Sequence, residues 1–419
     1  MADHNNYVIN MKHSTSHLTL PSIYLATATM ALSAGFQLQE RSTSGLGRAF
    51  AGEAAIAEDA SAIATNAASM LLLDGTQVSA GASYVMPSVK VSGTFNGIPT
   101  ADPGPAQEAL VPYAYISHKL NEDWALGLAL HARFGLSTDY ADSFLATSLA
   151  KKSEITTVYI SPKLAYQINQ AWSIGAGFDA VNVDATLTNA IPSPVPGLGG
   201  ATVLDVSGDD WAYGFNLGTM YQCSERTRFG LAYYSKVDFT LEGQARTDTG
   251  FPGVLPPTST TSASAKSTLP QSIELSGFHS LNDKWDLHAS FTWTDWSVFD
   301  ELLINTINGD LPPTPEKWKD VYRVAAGATY HHNDRWTFRA GLAFDESPVP
   351  SAELRTLRIP DSDRFWLSAG TTYNINQCYS VDLGYTHIFA KTVQISEGAF
   401  QGRAEGHVNL VGLSFNGKF

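Results

Sequence analysis

Few residues of this sequence have the types and spacing that catalysis requires. The adjacent histidines His331 and His332 could act in acid–base chemistry, but they fall at a predicted turn with no nucleophile motif nearby. A G-x-S-x-G motif, which places the nucleophilic serine of many hydrolases, does not occur. Cys223 and Cys378 form no CxxC pair and no cluster with zinc-like spacing, so we expect two unpaired thiols. The sequence therefore predicts a protein that is not an enzyme, with no cofactor and no metal.

A second group of side chains could bind an anion. Five basic residues occupy the polar face of segments with alternating polarity: Arg133, Lys319, Arg323, Arg339 and Arg364. A guanidinium group can bind a carboxylate through two parallel hydrogen bonds, so we take Arg133, Arg323 and Arg339 as candidates for ligand binding. Each basic residue could equally belong to a network of ion pairs with Asp and Glu side chains, and both interpretations remain open.

The composition excludes several classes of protein. Of the 419 residues, 44% are hydrophobic and only 16% are charged, whereas about a quarter of the residues of a typical soluble protein are charged. The net charge of -14 argues against a nucleic-acid partner, which needs a basic surface. The mean hydropathy of -0.09 is too low for a bundle of membrane helices. A large β-barrel and a set of soluble domains both remain possible.

The N-terminus has the features of an export signal. Residues 20–34 (LPSIYLATATMALSA) form an apolar run with the length of the hydrophobic region of a signal peptide, too short for a membrane helix. Small residues stand at the first and third positions before Ala34, so we expect cleavage there and removal of residues 1–33. Met11 precedes a lysine and is an alternative start of the chain.

Beyond the N-terminus, apolar and polar residues alternate with a period of two. In residues 284–294 (KWDLHASFTWT) every second side chain is apolar, as in a strand with one apolar face. Residues 335–344 (RWTFRAGLAF) and 380–389 (SVDLGYTHIF) have a similar pattern. A soluble β-sandwich would alternate in the same way, so further features must separate the two folds.

Three features favour a barrel in the outer membrane. Aromatic residues cluster near the predicted strand ends, as the girdles of a membrane barrel require. Short turns such as 121–122 and 333–334 alternate with long loops such as 190–209 and 244–263, which is typical of periplasmic turns and outer loops. The predicted last strand has apolar residues at alternate positions and ends at Phe419, which resembles the signal read by the barrel assembly machinery. We therefore expect a multi-pass barrel in the outer membrane of a Gram-negative bacterium.

We predict an all-β fold in which residues 76–419 form about fourteen antiparallel strands, an even number as in most bacterial barrels. The strands are expected to begin near these residues: Thr76, Gln107, Asp123, Ser153, Ala171, Asp210, Glu225, Ser264, Lys284, Lys317, Arg335, Asp363, Cys378 and Gly402. Residues 34–75 do not fit a strand, because they are rich in Ala, Gly and Ser and contain a helix-like run over 52–73. We assign them to a plug inside the lumen of the barrel.

The plug carries a family resemblance. Residues 35–60 (GFQLQERSTSGLGRAFAGEAAIAEDA) resemble the N-terminal hatch of the FadL family of outer-membrane long-chain fatty acid transporters. Residues 318–323 (WKDVYR), 345–350 (DESPVP) and 359–370 (IPDSDRFWLSAG) resemble further segments of that family. The resemblance extends in register over the whole chain that follows the predicted signal peptide.

The resemblance implies a fourteen-stranded barrel, plugged by a hatch, that transports long-chain fatty acids passively. Outer loops would capture the ligand, a pocket in the lumen would hold it, and a hatch movement would release it sideways at a kinked third strand. We expect a monomer that contacts outer-membrane lipid and lipopolysaccharide, and the barrel assembly machinery during biogenesis. The alternative within the same family is a channel for other hydrophobic compounds, such as monoaromatic hydrocarbons.

The resemblance also implies roles for individual residues. Phe36 would reach into the ligand pocket. The hatch and the lateral gate would comprise Gly35, Phe36, Asn66, Ala109, Ala132 and Gly135. Gly135 is small enough to permit a kink, but it could also be a glycine at a strand end.

Two long loops are candidates for the entry groove, because exposed apolar loops usually mark a binding surface. Their apolar residues are Ile191, Val195, Leu198, Val203, Leu204, Phe251, Val254 and Leu255. The loops could instead pack on one another.

The sequence departs from the family pattern at two places. Residues 66–68 read Asn-Ala-Ala where the family hatch has Asn-Pro-Ala, so the rigidity or the movement of the hatch is expected to differ. The basic positions that would bind the ligand carboxylate fall on Asn189 and Thr314. No head-group site can therefore be transferred from the family.

Overall fold

The computed structural model describes residues 35–192, 202–247, 259–307 and 309–419. Several predicted features lie outside the described residues, namely the signal peptide and the loop residues Val195, Leu198, Phe251, Val254 and Leu255. Within the described ranges, no helix is both long enough and apolar enough to cross a membrane.

Fourteen antiparallel strands form one closed barrel, which confirms the predicted fold. We number them in chain order, with these bounds: β1 Thr76–Phe95, β2 Ala109–Lys119, β3 Trp124–His131 and Gly135–Asp139, β4 Lys152–Gln167, β5 Trp172–Ala190, β6 Thr202–Ser224, β7 Thr227–Tyr234 and Val237–Thr247, β8 Ser259–Leu269 and Ser272–Asn282, β9 Trp285–Thr294, β10 Val321–His331, β11 Trp336–Asp345, β12 Arg364–Asn374, β13 Tyr379–Glu397 and β14 Phe400–Lys418. Strand β14 closes the barrel by pairing with β1, from Gln77 opposite Lys418 to Phe95 opposite Phe400.

Three predicted strand starts are wrong by several residues: β6 begins at Thr202 rather than Asp210, β8 at Ser259 rather than Ser264, and β10 at Val321 rather than Lys317. For β6 the reason is that the hairpin with β5 continues beyond the apolar part of the strand, where Asp205 and Asp209 break the alternation. Leu204 pairs with Asn189 in this extension. Val203 and Leu204 therefore belong to a strand and not to a loop.

The lipid-facing surface carries aromatic side chains at the end of the barrel that has the short turns. Trp124 packs against Tyr166, and Trp285 against Tyr330, each with ring centroids 4.6 Å apart across neighbouring strands. Such amphipathic rings are suited to the boundary between hydrocarbon and headgroups. Cys223 and Cys378 lie near the turns at this end and are free and exposed, as predicted.

The lumen is filled by residues 35–75, which we call the hatch. The hatch contains an α-helical turn and two 3-10 turns: Thr43–Leu46, Ala60–Ala64 and Ala67–Leu72. Most of its residues are buried. The outer loops add a third 3-10 turn, Trp296–Val298, and short strands at Ile98–Asp102, Glu301–Leu302, Ile304–Thr306 and Thr314–Pro315.

The hatch backbone approaches the barrel wall where the wall carries glycine. A Cβ atom at Gly370 of β12 would lie 2.7 Å from the Cα atom of Gly47. No carbon atom can occupy that position without displacing the hatch backbone. Glycine is therefore required here for the close contact between hatch and wall.

We predict that Gly370→Val destabilises the barrel by about 1–3 kcal/mol, the usual cost of overpacking a filled interior. Denaturation of the purified protein in detergent measures the change. Gly104→Val is the matched control, because no atom lies within 4 Å of a Cβ at Gly104. Equal stability of the two variants would contradict the close packing of hatch and wall.

Candidate functional site

An apolar cavity lies in the outer half of the lumen, above the hatch. Its described lining is mostly aliphatic and aromatic, and it includes Leu136, Ile155, Val206, Phe239, Leu241 and Ile304. Binding sites for small molecules are typically lined in this way, by hydrophobic side chains with a few polar groups among them. We call it the apolar cavity.

Phe36 lies at the floor of the apolar cavity, in a cluster of aromatic rings. Its ring centroid is 4.7 Å from that of Trp296, 5.7 Å from that of Phe299 and 5.9 Å from that of Trp318. Edge-to-face contacts of this kind stabilise a defined ring position. The N-terminal residues of the hatch therefore form part of the cavity wall.

This N-terminal segment is held in place by hydrogen bonds to an outer loop and to β3. The Gly35 N–H donates to Oδ2 of Asp361 at 3.2 Å. The Leu38 N–H donates to the carbonyl oxygen of Arg133 at 2.7 Å, and the Gly135 N–H donates to the carbonyl oxygen of Phe36 at 2.8 Å. Residues 36–38 thus run antiparallel to the interruption of β3 and cover it from inside the barrel.

The pairing between β2 and β3 is missing beside this interruption, and it resumes on the outer side, where Ala106 forms an antiparallel bridge with Thr138. The described β2–β3 pairing ends with Ala114 opposite Leu130. The preceding residues of β2, from Ala109 to Tyr113, pair with β1. The interruption of β3 therefore produces a gap in the wall next to β2.

Three of the predicted gate residues, Ala109, Ala132 and Gly135, lie together at this gap. Ala109 and Ala132 belong to one buried cluster with Leu38 of the hatch. A Cβ atom at Gly135 would lie 3.1 Å from Cδ1 of Leu38. Gly135 starts the second segment of β3, where it pairs with Thr156 of β4, so it is not a glycine at the end of the strand. Small side chains at the gap allow the N-terminal segment to approach closely.

Arg358 is the one basic side chain among the described residues that line the apolar cavity. Its Nη1 atom donates to Oγ of Ser153 at 2.9 Å and to the carbonyl oxygen of Lys152 at 3.2 Å, and Nη2 donates to Oδ1 of Asn189. Within the described ranges, no carboxylate forms an ion pair with it. Neutral acceptors therefore fix the guanidinium group while its charge remains uncompensated by an ion pair.

The two acidic residues of the cavity lining do not pair with this charge. Glu154 forms an ion pair with Lys152, with Oε2 2.5 Å from Nζ. Burial raises the pKa of Glu316 to about 8, and its carboxyl group accepts a hydrogen bond from Nε1 of Trp318 at 3.0 Å. Glu316 is thus mostly uncharged at neutral pH, and the cavity retains a positive charge at Arg358.

Two of the predicted ligand-binding arginines hold the hatch instead of lining the apolar cavity. Arg323 donates to the carbonyl oxygen of Ala49 at 2.6 Å. Arg339 forms an ion pair with Glu58 of the hatch, with Nη2 2.8 Å from Oε2. Glu58 also pairs with Arg48 at 2.9 Å. The contacts of Arg339 agree with the ion-pair interpretation, whereas Arg323 bonds to a neutral carbonyl group.

The other lumen-facing basic residues have mixed environments. Arg364 lies 3.2 Å from Oδ1 of Asp361, and Lys319 lies 2.5 Å from Oε1 of Glu346 at the outer rim. Arg133 is buried and donates to Oγ of Ser272 at 3.1 Å, with no ion pair among the described residues. Arg133 is thus the predicted ligand residue that lies next to the gap.

Asn66 joins the hatch to the barrel wall. Its Nδ2 atom donates to the carbonyl oxygen of Ala54 at 2.7 Å and to that of Thr219 in β6 at 3.0 Å. Its Oδ1 atom accepts the Ala68 N–H at 3.0 Å and caps the last 3-10 turn of the hatch. Asn66 therefore keeps a structural role although alanine follows it where the family has proline.

The described residues of the predicted entry loops lie near the outer rim. Ile191 is half-buried directly after β5. Leu204 packs against a cluster of the barrel wall that includes Val206 and Ala263, whereas the side chain of Val203 is exposed. The remaining loop candidates lie outside the described residues.

Sequence reasoning missed Arg358. It lies in an outer loop between β11 and β12, where alternation gives no information about the direction of a side chain. The only signal in the sequence was its place one residue before the matched segment 359–370. The contact with Asn189, a position at which a basic residue had been expected, is visible only in three dimensions.

The closed barrel, its plugged lumen and the enclosed apolar cavity define an outer-membrane transport barrel for a hydrophobic compound. Residues 24–419 match the family described as Outer membrane protein transport protein (OMPP1/FadL/TodX). The chain belongs to this family, whose members are transport proteins and not enzymes.

Relatives of known sequence support the assignment over nearly the whole chain. The chain is 38% identical to a long-chain fatty acid transport protein of Salmonella typhi and 36% identical to one of Escherichia coli K12, covering 94% of this chain and 96% of each relative. A 47 kDa outer membrane protein of Pasteurella multocida is 35% identical, over 96% of this chain and 97% of that protein.

Solved structures agree on the fold. A Pseudomonas aeruginosa FadL homologue superimposes with a TM-score of 0.82 at 24% identity, covering 92% of this chain and 100% of the other. The Ralstonia pickettii toluene transporter TbuX superimposes with a TM-score of 0.69 at 20% identity, covering 92% and 99% of the two chains. At these identities the comparison concerns the fold alone.

We predict that Glu58→Gln loosens the hatch, because it leaves Arg48 and Arg339 without this carboxylate. Glu58 is partly exposed and Arg48 keeps Glu53 as a partner, so we expect a cost below the roughly 3–5 kcal/mol of breaking a fully buried pair. Faster hydrogen exchange at amides of residues 45–60, measured by mass spectrometry on the purified barrel, is the expected result. Glu405→Gln removes the carboxylate of the exposed pair with Arg403 and serves as the control. Unchanged protection of the hatch would contradict the anchoring role of Glu58.

Proposed function

We propose that the chain transports long-chain fatty acids passively across the outer membrane. The observation that supports this most strongly is the combination of an apolar cavity with a single basic side chain in its described lining. A fatty acid combines an apolar tail with a carboxylate, and the cavity offers a complement to each. The names of the relatives from Salmonella typhi and Escherichia coli point to the same substrate class.

In the proposed bound state, the tail lies against the apolar lining and the carboxylate accepts hydrogen bonds from Arg358. Charge-assisted hydrogen bonds of this type are about twice as strong as neutral ones. The guanidinium group is already held by Ser153, Lys152 and Asn189, so little conformational entropy is lost when the ligand binds. In this proposal, Arg358 provides the basic group that is absent at positions 189 and 314, where the sequence has Asn189 and Thr314.

We propose that the ligand enters from the outer loops and leaves sideways at β3. The N-terminal segment separates the apolar cavity from the gap between β2 and β3, so release requires residues 36–38 to move. The segment is held by a few hydrogen bonds and by the aromatic contacts of Phe36, all of which can be broken without opening the barrel itself. Lateral release delivers an apolar molecule into the membrane and avoids an aqueous pore.

We predict that Arg358→Gln weakens oleate binding to the purified protein by about tenfold or more, as expected for loss of a charge-assisted hydrogen bond. Oleate uptake by cells that lack their own fatty acid transporter is expected to fall in parallel. Toluene uptake is expected to be unchanged, because toluene has no group that needs the guanidinium.

Arg403→Gln is the matched control, since it removes an equal charge from the outer surface of β14. Equal oleate binding by the Arg358 and Arg403 variants would argue against a fatty acid head group at Arg358. Entry of toluene without oleate in the unmodified protein would favour the alternative substrate class of monoaromatic compounds.

We predict that oleate affinity falls as the pH rises through about 8, because Glu316 then loses its proton. Its new negative charge would compete for Arg358 and repel the ligand carboxylate, and the pKa of about 8 that burial gives Glu316 sets the pH range. Glu397 and Trp318 are the other groups that act on Glu316.

Binding is measured from pH 6.5 to 9.5 with the unmodified protein and with Glu316→Gln. The titration of oleate itself affects both proteins equally, so the difference between the two curves reports Glu316. The variant is expected to lose affinity less steeply above pH 8. Two superimposable curves would show that Glu316 does not titrate beside the ligand.

A further inference from the structure

A second, smaller cavity lies directly below Phe36, behind the interruption of β3. Its lining is polar, with Gln37 and Gln39 of the hatch on one side and Tyr234, Ser272 and Glu274 of the wall on the other. Because Gln37 follows Phe36 in the chain, a single residue step separates this cavity from the apolar cavity. We call it the polar cavity.

Three buried basic residues surround the polar cavity and the ring of Tyr234. Arg41 and Arg133 line the cavity. The guanidinium group of Arg133 stacks on the ring of Tyr234, 3.5 Å from its centroid, and Nζ of Lys163 donates to Oη of Tyr234 at 3.0 Å. All three basic side chains are at most 5% exposed.

Within the described residues, the hydrogen bonds of these three side chains lead to uncharged groups. Arg41 donates to Oε1 of Gln39 at 3.0 Å, Arg133 to Oγ of Ser272 at 3.1 Å, and Lys163 to Oδ1 of Asn216 at 3.1 Å. In the part of the chain that the structure describes, none of the three forms an ion pair. Buried charges in proteins are normally paired, because an unpaired one is costly to remove from water.

Glu274 also lines the polar cavity, and its carboxylate and that of Asp179 accept hydrogen bonds from other groups. Oε1 of Glu274 accepts hydrogen bonds from the Ala54 N–H at 3.2 Å and from Oγ of Ser276 at 2.8 Å. Oδ1 of Asp179 accepts from Ser161 and from Nδ2 of Asn216, the latter at 2.9 Å. The three basic side chains therefore have no direct ion-pair partner among the described residues, although the carboxylate of Glu274 lies at the same cavity.

Unused hydrogen-bonding groups accompany this charge. Nη1 of Arg133, Nε of Arg41 and both ring nitrogens of His131 are buried without a partner among the described residues. Polar atoms in a protein interior usually have partners, so several unpaired atoms beside one cavity indicate a missing hydrogen-bonding group. An anion with oxygen acceptors fits the donors of both arginines.

We infer that the polar cavity is a transient binding site for the carboxylate of the transported ligand, with Arg41, Arg133 and Lys163 as its positive charges. The inference rests on the proposed function, in which the ligand leaves through the gap between β2 and β3. The tail leaves among the small apolar residues of the gap, while the carboxylate must stay in a polar environment until it reaches the membrane surface. The polar groups around this cavity provide that environment.

The site would act after the apolar cavity and only on ligands with an acidic head group. Arg358 holds the carboxylate at the outer end of the route, and Arg133 lies on the interrupted strand next to the exit. Once the ligand carboxylate has left Arg358, attraction by the positive charges at the polar cavity lowers the free energy of the ligand. A neutral ligand of the same chain length gains nothing from these charges.

The test compares uptake of labelled oleate and labelled oleyl alcohol, which have the same tail and differ in the head group. Cells that lack their own fatty acid transporter express the unmodified protein, Arg133→Gln or Arg41→Gln. We expect Arg133→Gln to lower oleate uptake about tenfold, to leave oleyl alcohol uptake within twofold and to leave oleate affinity at the apolar cavity unchanged. Arg133→Lys is expected to restore part of the oleate uptake.

Lys119→Gln serves as the control, since it removes a basic residue that pairs with Asp74 and Glu122 near the short turns. An equal loss of both ligands in the Arg133 and Arg41 variants would assign these residues a structural role and overturn the inference, as would unchanged oleate uptake in both. If Arg133→Gln fails to form a folded barrel, Arg41→Gln decides by the same criteria. Failure of the unmodified protein to take up oleate would refute the proposed function instead.

Discussion

The structure depends on one constraint, which is that backbone polar groups inside a membrane must find partners within the protein. Regular pairing satisfies this around most of the barrel, but β3 is interrupted at residues 132–134. There the hatch provides the partners, because the Leu38 N–H binds the carbonyl oxygen of Arg133 and the carbonyl oxygen of Phe36 accepts the Gly135 N–H. The hydroxyl group of Thr157 accepts a hydrogen bond from the Phe134 N–H and donates one to the Phe134 carbonyl oxygen. The N-terminal segment is therefore part of the barrel wall, and it is also the part that can be withdrawn.

This arrangement links the two cavities to the gap. Phe36 closes the apolar cavity from below, and the next residues line the polar cavity and cover the interruption. Movement of one short segment would connect all three spaces. The rest of the hatch is fixed more firmly, since Glu58 pairs with two arginines and Asn66 binds the wall at Thr219. The distribution of contacts thus favours a local movement near the N-terminus over removal of the whole hatch.

The structural features that repeat along the chain could be predicted from the sequence. Period-two alternation gave the strands, their number and the polar face that carries Arg133 and Arg339, because each strand faces lipid on one side. The failures have physical causes. The start of β6 was misplaced since backbone pairing continues past Asp205 and Asp209, outside the lipid, where no apolar pattern is needed. Arg358 was missed because loop side chains have no fixed periodicity, and the Glu58 anchor was missed because it joins residues far apart in the sequence.

The central claim is that residues 36–38 must leave β3 for transport to occur, and a reversible cross-link tests it directly. Gln37 and Phe134 lie opposite each other in an antiparallel bridge of the non-hydrogen-bonded type, whose Cα separation of roughly 4.5 Å suits a disulfide. The measurement is oleate uptake by Gln37→Cys, Phe134→Cys in a background in which Cys223 and Cys378 are serine, before and after reduction, with Gln37→Cys alone as control. We predict that the oxidised double variant takes up no oleate and that reduction restores uptake. Equal uptake by the oxidised and the reduced protein would contradict the account.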